Sequence, residues 1–205
     1  MAIPAHDYDY LLASLQEMED YLASDVLFWR ISPGSYPGDA YNDRLTIGGN
    51  LFSLKRLEVE LPESQLMFFR NRLMSIRDKW QKRWQEKTEH EFRSRFRQWG
   101  IYLNECFQDP EDHVPYYSYE VRRRVILRLL GEDRSDFPAS LLHNLREWDR
   151  FLRLIFDEAA FLWAPELEAV FSRETDWYLF GAPAEEKIED LKKDSPDLPV
   201  ISDEK

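Results

Sequence analysis

The stretch PESQLMFFRNRLMSIRDKWQKRWQEKTEHEFRSRFRQWGIYLNECF, residues 62–107, decides how this chain is read. Pro62 suits a first helical turn, where its missing N–H costs little. After it, Gly100 is the only Gly or Pro in the run. Leu66, Phe69, Leu73, Ile76 and Trp80 recur at steps of three and four, and Phe92, Phe96, Trp99, Leu103 and Cys106 repeat the pattern. That is the period of an amphipathic helix. Residues 85–91 between the two sets are almost wholly polar. The spacing predicts one long helix, about 65 Å at roughly 1.5 Å rise per residue, with Gly100 as the place for a kink. The alternative is two antiparallel halves hinged near Lys87–Glu91, where no breaker stands.

Towards the N-terminus, Tyr10, Leu11, Ser14, Leu15, Met18, Tyr21 and Leu22 form a second helical stripe, with Asp7 as its expected N-cap. Residues 26–31 are short and apolar, readable as a helix end or an extended segment. The Pro- and Gly-rich span 32–38 reads as a loop. Thr46 is the expected N-cap of a helix running to about Glu60 with Leu51, Leu54, Leu57 and Leu61 on its stripe, and with Gly48 and Gly49 unusually in its first turn.

Towards the C-terminus, Asp109-Pro110 ends the long helix. Ser118 is the expected cap of a helix through Val121, Val125 and Leu129, stopped by Gly131. A further helix is expected from Phe137-Pro138 to about Trp163, with Leu141, Leu145, Trp148, Phe151, Leu152, Ile155, Phe156, Ala159 and Leu162 on its stripe. Pro165 opens a short last helix, and Trp177 to Gly181 reads as an apolar anchor. Residues 182–205 turn acidic and poor in large apolar groups, so a disordered acidic tail is expected there; Ile188 and Leu191 permit a transient helix. The fold class read from this is all-α: a helical bundle of about five or six helices with one long central helix, in a single domain over residues 1–181.

Composition is consistent with that reading. The chain has 205 residues, 43% hydrophobic and 32% charged, a globular balance with a heavy aromatic load. Cys106 is the only cysteine, so an intrachain disulfide is excluded and a reducing, cytoplasmic setting is expected. The N-terminal residues lack a basic and apolar leader pattern. No apolar run approaches the roughly 18 residues of a membrane span.

The formal net charge is −12, yet residues 66–99 hold ten basic and four acidic residues. Lys79, Lys82, Arg83, Trp84, Arg93, Arg95 and Arg97 interleave cations with aromatics. That pattern can face phosphates and bases, dock an acidic protein surface, or be a solvated face over an inward aromatic seam. The cluster Arg122-Arg123-Arg124 with Arg128 is a second basic patch, spread around its helix.

Catalytic and metal chemistry are not signalled. Glu86 with His90, and His143 with Glu147, stand at i, i+4 rather than the Glu-x-x-His spacing of di-iron bundles. Cys106 lies on an apolar seam, as a buried inert thiol does. Residues 46–50 place glycines at a helix N-terminus, a geometry that can hold an anion, but match no nucleotide-binding pattern. No catalytic, cofactor or metal residue is assigned. The expected function is a non-catalytic helical interaction protein, an adaptor or a subunit, working through another protein or self-association. The alternatives are a nucleic-acid binder using residues 79–99 and a bundle enzyme with a pocket built from distant residues. A membrane partner is not expected.

Overall fold

The computed structural model describes residues 3–32, 44–134 and 136–194. The expected loop over 33–38 and the acidic stretch 195–205 lie outside them. Helices dominate, with two short antiparallel sheets, so the chain is an all-α helical bundle. It divides into two compact units, one up to Phe92 and one from Arg93 onward. Among the described residues no helix is long and apolar enough to cross a membrane.

The first unit contains α1 (Ile3–Ala23), β1 (Trp29–Arg30), β2 (Arg44–Leu45), α2 (Ile47–Leu57), α3 (Glu63–Lys79) and the start of α4 (Gln81–Gln108). The α1 stripe from Tyr10 to Leu22 is buried throughout, Ser14 included. Asp7 does not cap this helix, which begins four residues earlier. It is buried inside it and accepts a hydrogen bond of 2.9 Å from Ser53 Oγ, with Arg56 Nε at 3.2 Å. Thr46 does cap α2: its hydroxyl accepts from the Gly49 N–H at 2.9 Å. Gly49 is required by a close approach, because a Cβ there would meet the Tyr10 hydroxyl at 2.4 Å. That hydroxyl donates to the Arg44 carbonyl at 2.9 Å and ties α1 to β2.

The single long helix expected over 62–107 is instead two. The helical run is interrupted at Trp80, with φ −113° and ψ 28°, away from both the polar stretch and Gly100. No breaker marks this position. Leu66, Phe69, Leu73 and Ile76 are buried, Trp80 is only half-buried, and Trp84 is again in the core. Trp80 also donates its indole N–H to Glu19 at 3.2 Å. The interruption is thus tied to a tertiary partner that periodicity alone does not reveal.

The second unit holds the rest of α4, α5 (Pro110–His113), α6 (Tyr117–Glu120), α7 (Arg122–Glu132), α8 (Ala139–Ile155), β3 (Phe156–Glu158), β4 (Gly181–Pro183) and α9 (Glu185–Asp194). Single 3-10 turns cover Val114–Tyr116, Pro165–Ala169 and Trp177–Leu179. Helix α4 runs through Gly100 without interruption. A Cβ there would sit 2.8 Å from the Trp148 ring, so its bare backbone lets α8 approach closely. The expected α8 stripe is buried from Leu141 to Phe156, whereas Ala159 is exposed and Leu162 half-buried beyond the end of the helix. Phe107 packs edge-on against Phe151 with ring centroids 5.8 Å apart.

Helix α8 ends at Ile155, eight residues short of Trp163. Phe156 turns extended and β3 pairs antiparallel with β4. The last short helix expected at Pro165 is a 3-10 turn, and Gly131 sits within α7 rather than beyond its end. Tyr178, Leu179 and Phe180 are buried, as an anchor requires. The stretch expected to be disordered from residue 182 begins instead with β4 and α9. Ile188 is fully buried, and the Lys192 ammonium donates to the Gln108 carbonyl at the end of α4. The buried Pro183 and Ile188 side chains and a ladder to β3 hold down a segment whose composition alone looked too polar to order.

Candidate interaction surfaces

The basic aromatic strip is divided between the two units. In the first, it serves the chain itself. Helix α1 ends at Ala23 and leaves late carbonyls without helical partners. Arg83 donates to the Leu22 carbonyl at 3.0 Å and the Ser24 carbonyl at 2.6 Å, and pairs with Asp25 at 2.9 Å and Glu86 at 3.1 Å. Lys87 donates to the Val26 carbonyl at 2.5 Å and lies 4.3 Å from the Tyr21 ring centroid. Burial, then the neighbouring Arg83 charge, lowers its pKa. These cations sit at the negative end of the α1 dipole. Lys79 pairs with Glu19, whose pKa is lowered by hydrogen bonds from Lys79 and Trp80. Lys82 projects outward, its side chain 89% exposed. Trp84 is a core residue, 2% exposed; it is no part of a surface.

In the second unit, Arg93 and Arg95 are half-buried and Arg97 is exposed. Phe96 and Trp99 beside them are in the core, as is Phe92 in the first unit. The aromatics of the strip therefore point inward.

The helix N-terminus at residues 46–50 does hold an anion, and the anion is the chain's own. Glu91 is fully buried, and its carboxylate accepts from the Gly48 N–H at 2.8 Å. A carboxylate there satisfies a donor that the helix leaves open and complements the dipole. Glu91→Ala should cost about 2–3 kcal/mol, read as a lowered urea midpoint. An unchanged midpoint would show that the contact carries no stability.

A second buried polar set joins α7 and α8 to the anchor segment. Arg124 donates from Nε and Nη2 to the two Asp149 oxygens, each at 2.7 Å, and its guanidinium lies 4.6 Å from the Tyr178 ring centroid. Arg128 reaches Asp176 at 2.8 Å, and Tyr178 donates to the same carboxylate at 2.8 Å. Asp176 is itself buried, so these groups are held rather than offered. The second basic patch is thereby explained as structural pairing for Arg124 and Arg128. Cys106 is buried as well, and burial pushes its thiol up to about 11, so little thiolate forms near neutrality. His143 faces Glu147 at 3.8 Å on an exposed stretch of α8.

Among the described residues, two features stand open to a partner. The first is the outer side of α3. Phe68 is 57% exposed, Met74 48% and Met67 41%. Their positions on a helical wheel put Met67 and Met74 on one line and Phe68 about 100° round the helix from it, while Leu66, Phe69, Leu73 and Ile76 on the same helix are buried. Helix α3 is apolar on two sides, and one of them meets solvent. The second feature is an open cleft of about 250 Å³ in the second unit. Ile101, Tyr102 and Glu105 of α4 line it with His113, Tyr116, Glu120 and Arg123.

The chain matches no family model, no curated protein and no solved structure.

Residue pattern carried part of this. The run Leu66-Met67-Phe68-Phe69 has more apolar residues than one helical stripe can absorb, and that excess was the readable signal for the outer face. The cleft had none, because α4, the α5 end, a 3-10 turn and α7 bring its walls together from separate parts of the chain.

Proposed function

We propose that this protein is a non-catalytic helical interaction protein, an adaptor or a subunit of an assembly, whose docking surface is the outer side of α3. The observation that supports this is the exposure of Met67, Phe68 and Met74 on a helix whose opposite side is already packed. Fully burying a Phe or Met side chain contributes about 1.5–3 kcal/mol. Met67 and Met74, one above the other, supply the anchor line for a partner helix, with Phe68 about 100° round the helix at its margin. Single exposed apolar residues are ordinary; a group sharing a helix face is what marks an interface.

A nucleic-acid partner has less support. Trp84, Phe92, Phe96 and Trp99 are buried and present no ring for base stacking, and Arg83 and Lys87 are engaged with backbone carbonyls. The buried lone cysteine accords with a reducing compartment.

The test is affinity capture from the native host's lysate, with nuclease added, comparing wild type with the Phe68→Glu, Met74→Glu double variant. The expected result is a stoichiometric protein that the wild type retains and the variant loses. Sedimentation of the purified chain distinguishes self-association, which the same variant should break. Equal capture by both forms would overturn the assignment to α3. Capture lost only on nuclease treatment would favour nucleic acid, and charge reversal of Arg93, Arg95 and Arg97 should then abolish it.

A further inference from the structure

The cleft of the second unit carries a partly exposed carboxylate, Glu105, between polar and apolar walls. The Glu105 side chain is about half exposed, with His113 Nδ1 at 3.8 Å, an ion pair only when that imidazole is protonated. That distance is beyond hydrogen-bond reach. The cleft's own guanidinium is engaged within its wall: Arg123 pairs with Glu120 and donates to Gln98 Oε1 at 3.2 Å, and both partners also line the cleft. Tyr102 is held too, its hydroxyl donating to the His113 carbonyl at 3.1 Å. Tyr116 and Ile101, 63% and 51% exposed, complete the lining with apolar surface.

We propose that this cleft receives the arginine or lysine side chain of a partner protein, an inference that rests on the reading of the chain as an interaction protein. The methylene stem of such a residue needs apolar walls while its head keeps a polar partner, and Ile101 with Tyr116 supply them. The aromatic rings attract the cation, and the Glu105 carboxylate accepts a charge-assisted hydrogen bond from its head. The volume is below the roughly 300–1,000 Å³ of small-molecule sites and suits one long side chain. A net charge of −12 draws cations towards the surface, and Glu105 repels carboxylates and phosphates from this position.

The probes are N-acetyl-arginine amide and N-acetyl-lysine amide, titrated into the full chain and followed by backbone amide shifts in NMR. Saturable shifts are expected at residues 101–105 and 113–116, with dissociation constants in the millimolar range. Glu105→Gln should weaken binding about tenfold, and Tyr116→Ala should weaken it as well. Both residues are substantially exposed, so neither variant should unfold, and dispersed spectra verify this. Glu168→Gln, which removes the same charge outside the cleft, should leave the affinity unchanged. Several results would overturn the proposal: no saturation by either cation, equal binding of uncharged N-acetyl-norleucine amide, or undiminished binding by Glu105→Gln. Spermidine saturating the same amides at lower concentration than arginine amide would reassign the cleft to a free polyamine. Because these probes are small molecules, the cleft is judged independently of the α3 capture experiment: either can fail while the other stands.

Discussion

Asp149→Ala is expected to destabilise the second unit by about 3–5 kcal/mol. An exposed ion pair contributes only about 0–1 kcal/mol, so burial decides the magnitude. Arg124 is 8% exposed and directs two hydrogen bonds of 2.7 Å at Asp149. Removing the carboxylate strands a guanidinium in the interior, where the Tyr178 ring is a weak substitute for an anion. Removing both charges tells a different story. The Arg124→Met, Asp149→Leu double variant replaces the pair by apolar groups and needs no buried charge to be neutralised. It should lie within about 1–2 kcal/mol of wild type. Urea denaturation of the three proteins, followed by circular dichroism, checks both statements. If Asp149→Ala costs less than about 1 kcal/mol, the pair behaves as a surface contact and the argument from burial fails.

Gly181→Ala should cost about 3 kcal/mol or more. Gly181 has φ +145°, a backbone conformation that L side chains rarely adopt. Its ideal Cβ would also fall 2.0 Å from the Asp157 carbonyl oxygen, which is backbone and cannot rotate away. The residue pairs with Glu158 where β4 meets β3, so the strain acts on the ladder that precedes α9. Faster amide exchange through residues 181–194 is therefore expected together with a lower urea midpoint. Gly131→Ala is the control. That glycine lies within α7, and its Cβ would meet only the flexible end of Leu142 at 3.0 Å. Alanine's helix preference offsets the tight contact, so a change of less than about 1 kcal/mol is expected. Equal effects at the two positions would remove the case for strain at Gly181.

Much of the candidate surface was hard to read in advance for a definite reason. The strip from Lys79 to Arg97 was visible as charge interleaved with aromatics, but charge pattern does not say what a cation faces. Arg83 turned out to face the carbonyls of Leu22 and Ser24, about sixty positions away in the chain. The anion-binding geometry at residues 46–50 was legible from Thr46 and the two glycines. Its occupant was not, since Glu91 is 43 residues from Gly48.

By itself the sequence determined the helical class and most of the buried stripes, including Tyr10 to Leu22, Leu66 to Ile76 and Leu141 to Ile155. Those readings rest on local periodicity, which depends only on the helix's own pitch. The α2 cap at Thr46 was local in the same way. The tertiary structure alone decided that the long run divides at Trp80, that α8 yields to a strand at Phe156, and that residues 181–194 are held against their own unit. Each depends on a partner distant in the chain: Glu19 for Trp80, β4 for β3, and the core site that buries Ile188. A three-residue strand is too short to show a period of two, and one buried isoleucine too slight to alter a composition. Such choices belong to packing, where a single contact between distant residues outweighs the weak preference of a short segment.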